Sequence, residues 1–284
     1  MSKLKTDANS LSVNKEPIFY EHRKVQGWEG ELHFITSGDK EAQPVVFLHG
    51  ITEFAESFLP VIELLPSSLY AISIDLRGRG KSFKPEKGYR LHNYVEDLLV
   101  IWNMFSGYSK RPILVGHSMS GRIATAFAAQ YPQLVSGLVL IDPPISGPGR
   151  RLFPVPLTRF TSPKQALEKA DMETFSAYYD QTKVDIELKK KELQACSLHA
   201  IEQTYRSFNQ EPFHVYYQMI TTPTLLLAAE CSPLITDVEY SELQQMNPHV
   251  QIKRVPNIGH EIYKEDPVLF TNELVTFIQT LTLS

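Results

Sequence analysis

Short apolar runs alternate with helical segments along the first half of the chain, and this alternation constrains the fold more than any other feature. The runs are PVVFLHG, YAISIDLRG, PILVGHS and GLVLIDPP. They lack the regular polar alternation of strands that expose one face to water. Short continuous apolar runs separated by helices are typical of parallel strands covered on both faces. The sequence therefore predicts an α/β fold with a mostly parallel sheet.

Sequence before and after this region extends the predicted sheet to eight strands. FYEHRKVQ and ELHFITSG read as two early strands joined by a turn between Gly27 and Gly30. TLLLAA and QIKRV supply two late strands. Helices are predicted near residues 239–246 and from 267 to about 281.

The strand–helix alternation lapses between residues 146 and 217. This stretch opens with SGPGRRLFPVP and continues with the helical, charged segments QALEKADMETFSAYY and DIELKKKELQAC. We interpret it as a helical cap insertion, and the KKKE run within it as the solvated face of a helix. The predicted organisation is thus a first core part at 1–145, a cap at 146–217 and a second core part at 218–284.

Composition narrows the possible partners. Apolar residues make up 43% of the chain and charged residues 21%, which is ordinary for a globular protein. A net charge of −4 offers no positively charged surface for binding nucleic acid or an anionic membrane.

The N-terminus MSKLKTDANSLSVNK is polar, and no apolar run reaches the roughly 18 residues needed to span a bilayer. Cys196 and Cys231 lie far apart without metal-ligand spacing, so we expect a cytoplasmic protein without a disulfide framework, metal or cofactor.

VGHSMSG, between a predicted strand and a predicted helix, is the first motif with chemical content. The nucleophile elbow of serine hydrolases is written G-x-S-x-G in this context, and its sharp turn demands small neighbours. Gly116 fits this pattern, whereas Ser120 occupies the second glycine position and Gly121 follows it. Ser118 is therefore the candidate nucleophile. The alternative is a Gly/Ser-rich loop that caps a helix.

Two further segments supply the other parts of a serine-hydrolase site. FLHGIT ends an earlier strand, so the backbone amides of Ile51 and Met119 are the predicted donors of an oxyanion hole. PNIGHEIY places His260 in a loop between the last strand and the last helix. A histidine delivered there can reach the serine as a general base.

These segments resemble the α/β-hydrolase family from about residue 17 onward, and DLRGRGKS resembles that family's loop after its fourth strand. Members commonly take the triad acid from after the strand matching TLLLAA, where this chain has Glu230, Cys231 and Ser232. Cysteine and serine carry no charge to hold an imidazolium, and Glu230 follows its strand too closely. Asp142, at the end of the strand after the elbow helix, is the predicted acid. The alternative is that it only caps a turn.

A narrower resemblance links IDPPISGPGRR, HGIT and GHSMSGR to the N-formylmaleamate deformylases of bacterial nicotinate breakdown. Relatives of this kind place their acid at the position of Asp142, and their substrates carry carboxylates. Arg150 and Arg151 are therefore candidate substrate ligands, since arginine pairs with carboxylates in a two-pronged way. Arg122, four residues after Ser118, is either a further substrate ligand or a buried structural partner.

The resemblance implies a serine hydrolase that cleaves an N-formyl or N-acyl amide on a small carboxylate-bearing substrate. An esterase or carbon–carbon bond hydrolase on the same scaffold is one alternative, because a fold does not fix a substrate. A ligand-binding protein without turnover is the other, and the intact Ser118–His260 pair argues against it.

Overall fold

An eight-stranded sheet runs through the centre of the computed structural model, which describes residues 19–105, 107–179 and 185–281. The strands lie side by side in the order β1-β2-β4-β3-β5-β6-β7-β8. Strand β2 is antiparallel to both of its neighbours, and all other neighbouring pairs are parallel. The predicted mostly parallel sheet of eight strands is confirmed. The predicted polar tail at the N-terminus lies outside the described residues.

The strands match the predicted apolar runs within a few residues. Their bounds are β1 Glu21–Gln26, β2 Glu31–Ser37, β3 Gln43–Leu48, β4 Leu69–Ile74, β5 Ile113–His117, β6 Gly137–Ile141, β7 Thr224–Ala229 and β8 Val250–Val255.

Helices flank the sheet and fill the stretch between β6 and β7. Their bounds are α1 Leu59–Ile62, α2 Leu91–Asn103, α3 Met119–Gln130, α4 Thr158–Glu168, α5 Met172–Ala177, α6 Ile186–Ala195, α7 Leu198–Gln210, α8 His214–Met219, α9 Asp237–Met246, α10 Ile262–Glu265 and α11 Pro267–Leu281. A 3-10 helix at Ala55–Phe58 precedes α1, and another at Pro132–Leu134 follows α3. Among the described residues, no helix is long and apolar enough to cross a membrane.

The apolar core lies on both faces of the sheet because successive strand residues point to opposite sides. In β3, Val46 and Leu48 belong to one buried cluster, whereas Val45 and Phe47 belong to the cluster on the other face. Every residue of β4 to β7 is buried, as expected for strands covered twice. Edge strand β1, with the sequence EHRKVQ, stays largely exposed.

Helices α4 to α6 share a small apolar cluster of their own. Phe175, Tyr179 and Leu193 form its centre with Ala166. This cluster is separate from the two that cover the sheet, so these helices bury apolar surface against one another. The division at residues 146 and 217 stays a prediction, and residues 180–184 of the predicted cap lie outside the described residues.

The prediction that the KKKE run is a solvated helix face is wrong for two of its members. Lys189 and Glu192 of α6 are buried, with 7% and 0% of their surfaces exposed. They lie three positions apart and therefore on the same face as Leu193, which turns toward the rest of the protein. Only the opposite face, including Lys191, is exposed. Two buried charges on this face require buried partners.

The carboxyl ends of β3, β5 and β6 meet at one edge of the sheet, because these three parallel strands are direct neighbours. Segments that follow these ends therefore converge. They are the loop after β3, the elbow after β5 and the exit from β6, which carry Ile51, Ser118 and Asp142. Ligands of open α/β sheets bind at this edge.

Candidate active site

Ser118 occupies a strained turn between β5 and α3. Its backbone lies at φ 52° and ψ −119°, a conformation that non-glycine residues rarely adopt. Such strain is retained only where the surroundings enforce it, and it clusters at functional sites. Here a hydrogen bond of 2.8 Å from Ser118 N to the Ile141 carbonyl joins the turn to β6.

Glycine occupies positions 116 and 121, on either side of Ser118, because atoms of other residues leave no room for a side chain there. A Cβ on Gly116 would lie 2.4 Å from the Ser120 carbonyl oxygen, and a Cβ on Gly121 would lie 2.7 Å from Pro143 Cβ. Real Cβ atoms do not approach other atoms so closely, so both positions require glycine. The structure thus gives the predicted strand–turn–helix its steric reason.

Ser120, the departure from the glycine pattern, has a specific contact. Its side chain is fully buried, and its hydroxyl donates a hydrogen bond to the His49 carbonyl oxygen. That carbonyl belongs to the loop that carries Ile51. Serine at this position therefore fits the elbow and also ties it to the neighbouring loop.

Asp142 and His260 form a direct pair at the same edge. Asp142 leaves β6 with a positive φ of 43° and is fully buried. Its Oδ2 lies 2.7 Å from His260 Nδ1, and its Oδ1 accepts a hydrogen bond of 3.1 Å from Ala229 N. An ionised carboxylate only accepts, so Nδ1 of His260 carries the proton. Nε2 is then free to accept one.

The surroundings of His260 favour its charged form. Burial opposes the charge, but the hydrogen bond and negative charge of Asp142 outweigh it and raise the pKa of His260 above 6.5. Its ring centroid lies 4.7 Å from that of His117, the residue before Ser118. Among the described residues, Ser118 and His260 make no direct hydrogen bond. Such contacts are often long in the absence of substrate.

The polar side chains that follow β7 accept hydrogen bonds from backbone amides and, within the described residues, form none with His260. Glu230 accepts a hydrogen bond of 2.8 Å from Asn257 N, and Ser232 Oγ accepts one of 3.3 Å from Leu234 N. Cys231 is exposed and free. The carboxylate beside His260 is thus that of Asp142.

The predicted oxyanion donors flank the elbow. Ile51 follows β3, and Met119 is the first residue of α3, where helical amides have no partner within the helix. Neither amide donates a hydrogen bond to another described residue. Both N–H groups are therefore available to a developing negative charge.

Arg150 and Arg151 already have carboxylate partners on α9. Arg150 pairs with Glu242, and Arg151 binds both oxygens of Glu239, each at 2.9 Å. Arg151 also donates to the carbonyl of Leu234 at 3.0 Å. The structure therefore places both side chains against α9 and the loop before it.

Arg122 is a buried partner of backbone carbonyl groups, which is the structural one of the two roles considered for it. It donates to the carbonyl oxygens of Pro144 at 2.9 Å, Ser146 at 2.8 Å and Glu211 at 2.7 Å. Burial outweighs the nearby charge of Glu211 and lowers the pKa of Arg122 to about 10. Arg122 thus holds the segment that leaves Asp142.

Sequence reasoning missed Arg79, although it lies within DLRGRGKS. Its guanidinium is fully buried and, within the described part of the chain, has no carboxylate partner. It donates to the Ile51 carbonyl at 3.1 Å and contacts Met119 Sδ at 3.7 Å. It also reaches Thr204 of α7 at 3.1 Å, so it joins both predicted oxyanion residues to the helices after β6.

Sequence reasoning also missed Glu53 and His117. Glu53 is buried and accepts a hydrogen bond from Gly50 N, while its Oε2 lies 3.0 Å from His117 Nδ1. The adjacency of His117 to Ser118, the predicted nucleophile, was the available signal. No cluster of three or more potential metal ligands occurs in the described ranges. A surface cavity lined by Ile113 and Pro223 lies at the opposite edge of the sheet and is not part of this site.

Comparison with known proteins identifies the family to which the sequence belongs. Residues 45–273 match the family model described as the alpha/beta hydrolase family. N-formylmaleamate deformylase from Pseudomonas putida is 30% identical over 239 residues, which cover 82% of this chain and 87% of that protein. 2-(Acetamidomethylene)succinate hydrolase from Mesorhizobium japonicum is 27% identical over 251 residues, covering 82% of this chain and 87% of that one.

A solved structure gives the same relationship in three dimensions. The crystal structure of a serine-to-alanine variant of N-formylmaleamic acid deformylase from Pseudomonas putida superposes with a TM-score of 0.80 at 25% identity. The match covers 90% of this chain and all of that one. The chain belongs to the α/β-hydrolase family.

Proposed function

We propose that this α/β hydrolase is a serine hydrolase that cleaves an N-formyl or N-acyl amide on a small carboxylate-bearing substrate. The observation that carries the proposal is the contact between buried Asp142 and His260 beside the strained Ser118 elbow. The relatives named for N-formylmaleamate and 2-(acetamidomethylene)succinate supply the substrate class. The cytoplasmic location predicted from the sequence remains a prediction.

The reaction begins with attack of Ser118 Oγ on the acyl carbon, while its proton passes to Nε2 of His260. Asp142 holds the ring with Nδ1 protonated and stabilises the imidazolium that forms. The amides of Ile51 and Met119 donate to the oxyanion. His260 then protonates the leaving nitrogen, and the acyl-enzyme forms. Water then attacks the acyl-enzyme and gives a proton to His260; the bond between the acyl carbon and Ser118 Oγ breaks, His260 returns the proton to Oγ, and the acid is released.

Recognition of the substrate carboxylate is assigned to Arg150 and Arg151. Both arginine side chains are partly exposed, with 33% and 38% of their surfaces accessible. Each already binds a carboxylate of α9, Arg151 through two hydrogen bonds and Arg150 through one. A substrate carboxylate must either share each guanidinium with Glu242 or Glu239 or displace that glutamate, which then loses its ion-pair partner. Either arginine contributes only modestly if its own glutamate remains bound.

A fluorophosphonate probe followed by mass spectrometry tests the nucleophile. We expect one adduct, on Ser118, and loss of labelling in Ser118→Ala. Labelling of another serine would contradict the assignment of Ser118, and absence of labelling would favour a binding protein without turnover.

Comparison of N-formylmaleamate with p-nitrophenyl acetate tests the substrate class. We expect a much larger kcat/KM for the carboxylate-bearing amide, and a higher KM in Arg150→Ala or Arg151→Ala. The exposed Arg206→Ala is the control for loss of a surface cation. If the ester is turned over equally well or better, and neither Arg150→Ala nor Arg151→Ala changes this turnover, the protein is an esterase instead.

A further inference from the structure

A buried ion cluster joins helix α6 to the loop that carries His260. We define it by six residues that contact one another through charged side chains. They are Glu53, His117, Lys189, Glu192, Glu261 and Lys264. The proposed mechanism uses none of them, yet three of them lie within four residues of Ser118 or His260 in the chain.

Lysine–carboxylate contacts hold the outer part of the ion cluster together. Lys264 Nζ lies 2.8 Å from Glu53, 2.7 Å from Glu192 and 3.0 Å from Glu261. Lys189 Nζ lies 2.8 Å from Glu192 and 2.7 Å from Glu261. Burial opposes all of these charges, but the pairing outweighs it: the pKa of Glu261 falls to about 2, and that of Lys264 rises well above its usual value.

Glu53 remains a carboxylate at the centre of the ion cluster. Burial would raise its pKa, but the charge of Lys264 and then His117 outweigh that effect and hold it well below its usual value. An ionised carboxylate can only accept hydrogen bonds. The nitrogen of His117 that faces it, Nδ1 at 3.0 Å, must therefore donate.

The other ring nitrogen of His117 also faces an acceptor. Its Nε2 lies 3.1 Å from the backbone carbonyl oxygen of His260. A carbonyl oxygen has no proton to give, so this nitrogen must donate as well. A histidine whose two ring nitrogens both donate is an imidazolium.

Charge balance leads to the same state. Three carboxylates in the ion cluster face two lysines, so one negative charge is left over if His117 is neutral. A buried net charge is expensive, and partners of opposite sign remove that cost. Protonated His117 brings the sum to zero. The exposed fractions of the Glu53 and His117 side chains are only 3% and 2%, so water cannot supply this compensation.

The contacts of the Glu53–His117 pair reach the loop that carries Ile51 and the loop that carries His260, and His117 itself belongs to the elbow. Glu53 binds the amide of Gly50, next to the Ile51 donor, and accepts from Tyr263 at 3.0 Å. His117 precedes Ser118 and holds the backbone of His260. We propose that His117 is a fixed imidazolium and that, with Glu53, it positions the base and the oxyanion loop. The positioning role rests on the proposed serine mechanism, whereas the charge state of His117 does not.

Nitrogen-15 NMR of the histidine rings in the wild-type protein tests the charge state. The His117 ring is identified by through-space contacts with His260, whose ring centroid is 4.7 Å away. At about pH 8, where an ordinary histidine is neutral, we expect protons on both nitrogens of His117. A single protonated nitrogen would overturn the imidazolium assignment, whatever the enzyme's activity.

The rate of fluorophosphonate labelling at Ser118 tests the positioning role. We expect His117→Gln to label about 10²-fold more slowly, because a displacement near 1 Å costs about that factor. Removing a nearby like charge also makes His260 easier to protonate. Since labelling needs neutral His260, the midpoint of the pH–rate profile should move upward by about one unit. A folded variant with an unchanged rate and midpoint would refute the proposal.

His33→Gln is the matched control. His33 is another buried histidine paired with a carboxylate, at 2.6 Å from Asp75 Oδ2, and it contacts none of the proposed catalytic residues. Its substitution should leave the labelling rate and the midpoint unchanged. If it reproduces both changes, the effect of His117 is only one of stability.

If His117→Gln does not fold, Glu53→Gln is measured for the same slowing. If wild-type Ser118 is not labelled at all, the proposed function fails, and the NMR result still decides the state of His117.

Discussion

Replacement of Asp142 by asparagine tests the central pair of the proposed site with little steric change. The asparagine side chain keeps an oxygen that can accept from Ala229 N, where the carboxylate now accepts at 3.1 Å. The atom facing His260 Nδ1, now an oxygen at 2.7 Å, becomes an amide nitrogen in Asp142→Asn. That amide donates, so Nδ1 must become the acceptor and the ring proton moves to Nε2. His260 then cannot take the proton of Ser118.

The expected loss is on the order of 10⁴-fold in kcat, as found when a triad aspartate of a serine protease is replaced in this way. This factor corresponds to about 5.5 kcal/mol of transition-state stabilisation. The full loss is expected here because Asp142 is completely buried and no second carboxylate contacts His260 Nδ1 among the described residues. Water therefore cannot reach the Asp142 carboxylate to take over its role.

Steady-state kinetics on the amide substrate measures this loss, and circular dichroism with a melting curve checks that Asp142→Asn folds. Glu230→Gln is the control, since Glu230 is a carboxylate at the same sheet edge that binds Asn257 N instead. It should retain most of the activity. Full activity of Asp142→Asn, with inactive Glu230→Gln, would show that the acid follows β7 and that the assignment is wrong.

Two further outcomes follow from the site. The pH profile of kcat/KM should have its acidic midpoint above 6.5, because Asp142 raises the pKa of His260 and the protonated ring cannot act as a base. A midpoint at or below 6.5 would show that Asp142 does not outweigh the burial of His260. Ser120→Ala should lower the free energy of unfolding by about 1–3 kcal/mol, because the buried His49 carbonyl loses its donor. Chemical denaturation measures this, with the exposed Ser241→Ala expected to change little.

Much of the fold and the elbow follows from the sequence because their causes are local. Strands buried on both faces leave short apolar runs, and parallel strands must be separated by helices. Gly116 and Gly121 flank Ser118 because backbone and Pro143 leave no room for a Cβ, and that requirement is written within a few residues. Asp142 could also be predicted from sequence, since β6 is the next strand along the chain after β5 and pairs with it in the sheet.

Charged side chains away from the elbow could not be assigned from sequence. Arg150 and Arg151 lie at the start of the predicted cap, as expected, but their partners Glu242 and Glu239 are about 90 residues further on. The KKKE run has an ordinary surface composition, yet its Lys189 is buried in the ion cluster. Composition gives the sign of a charge but not the surface it will face.

Short local patterns in the sequence thus predicted the sheet, the elbow and the candidate catalytic residues. Only the tertiary structure decided which charges are buried together, as in the pair Glu53–His117 and its link through Lys264 to Glu192. The physical reason is that a buried charge is stable only beside its partner. That partner is brought in by distant elements, whose packing no short stretch of sequence specifies.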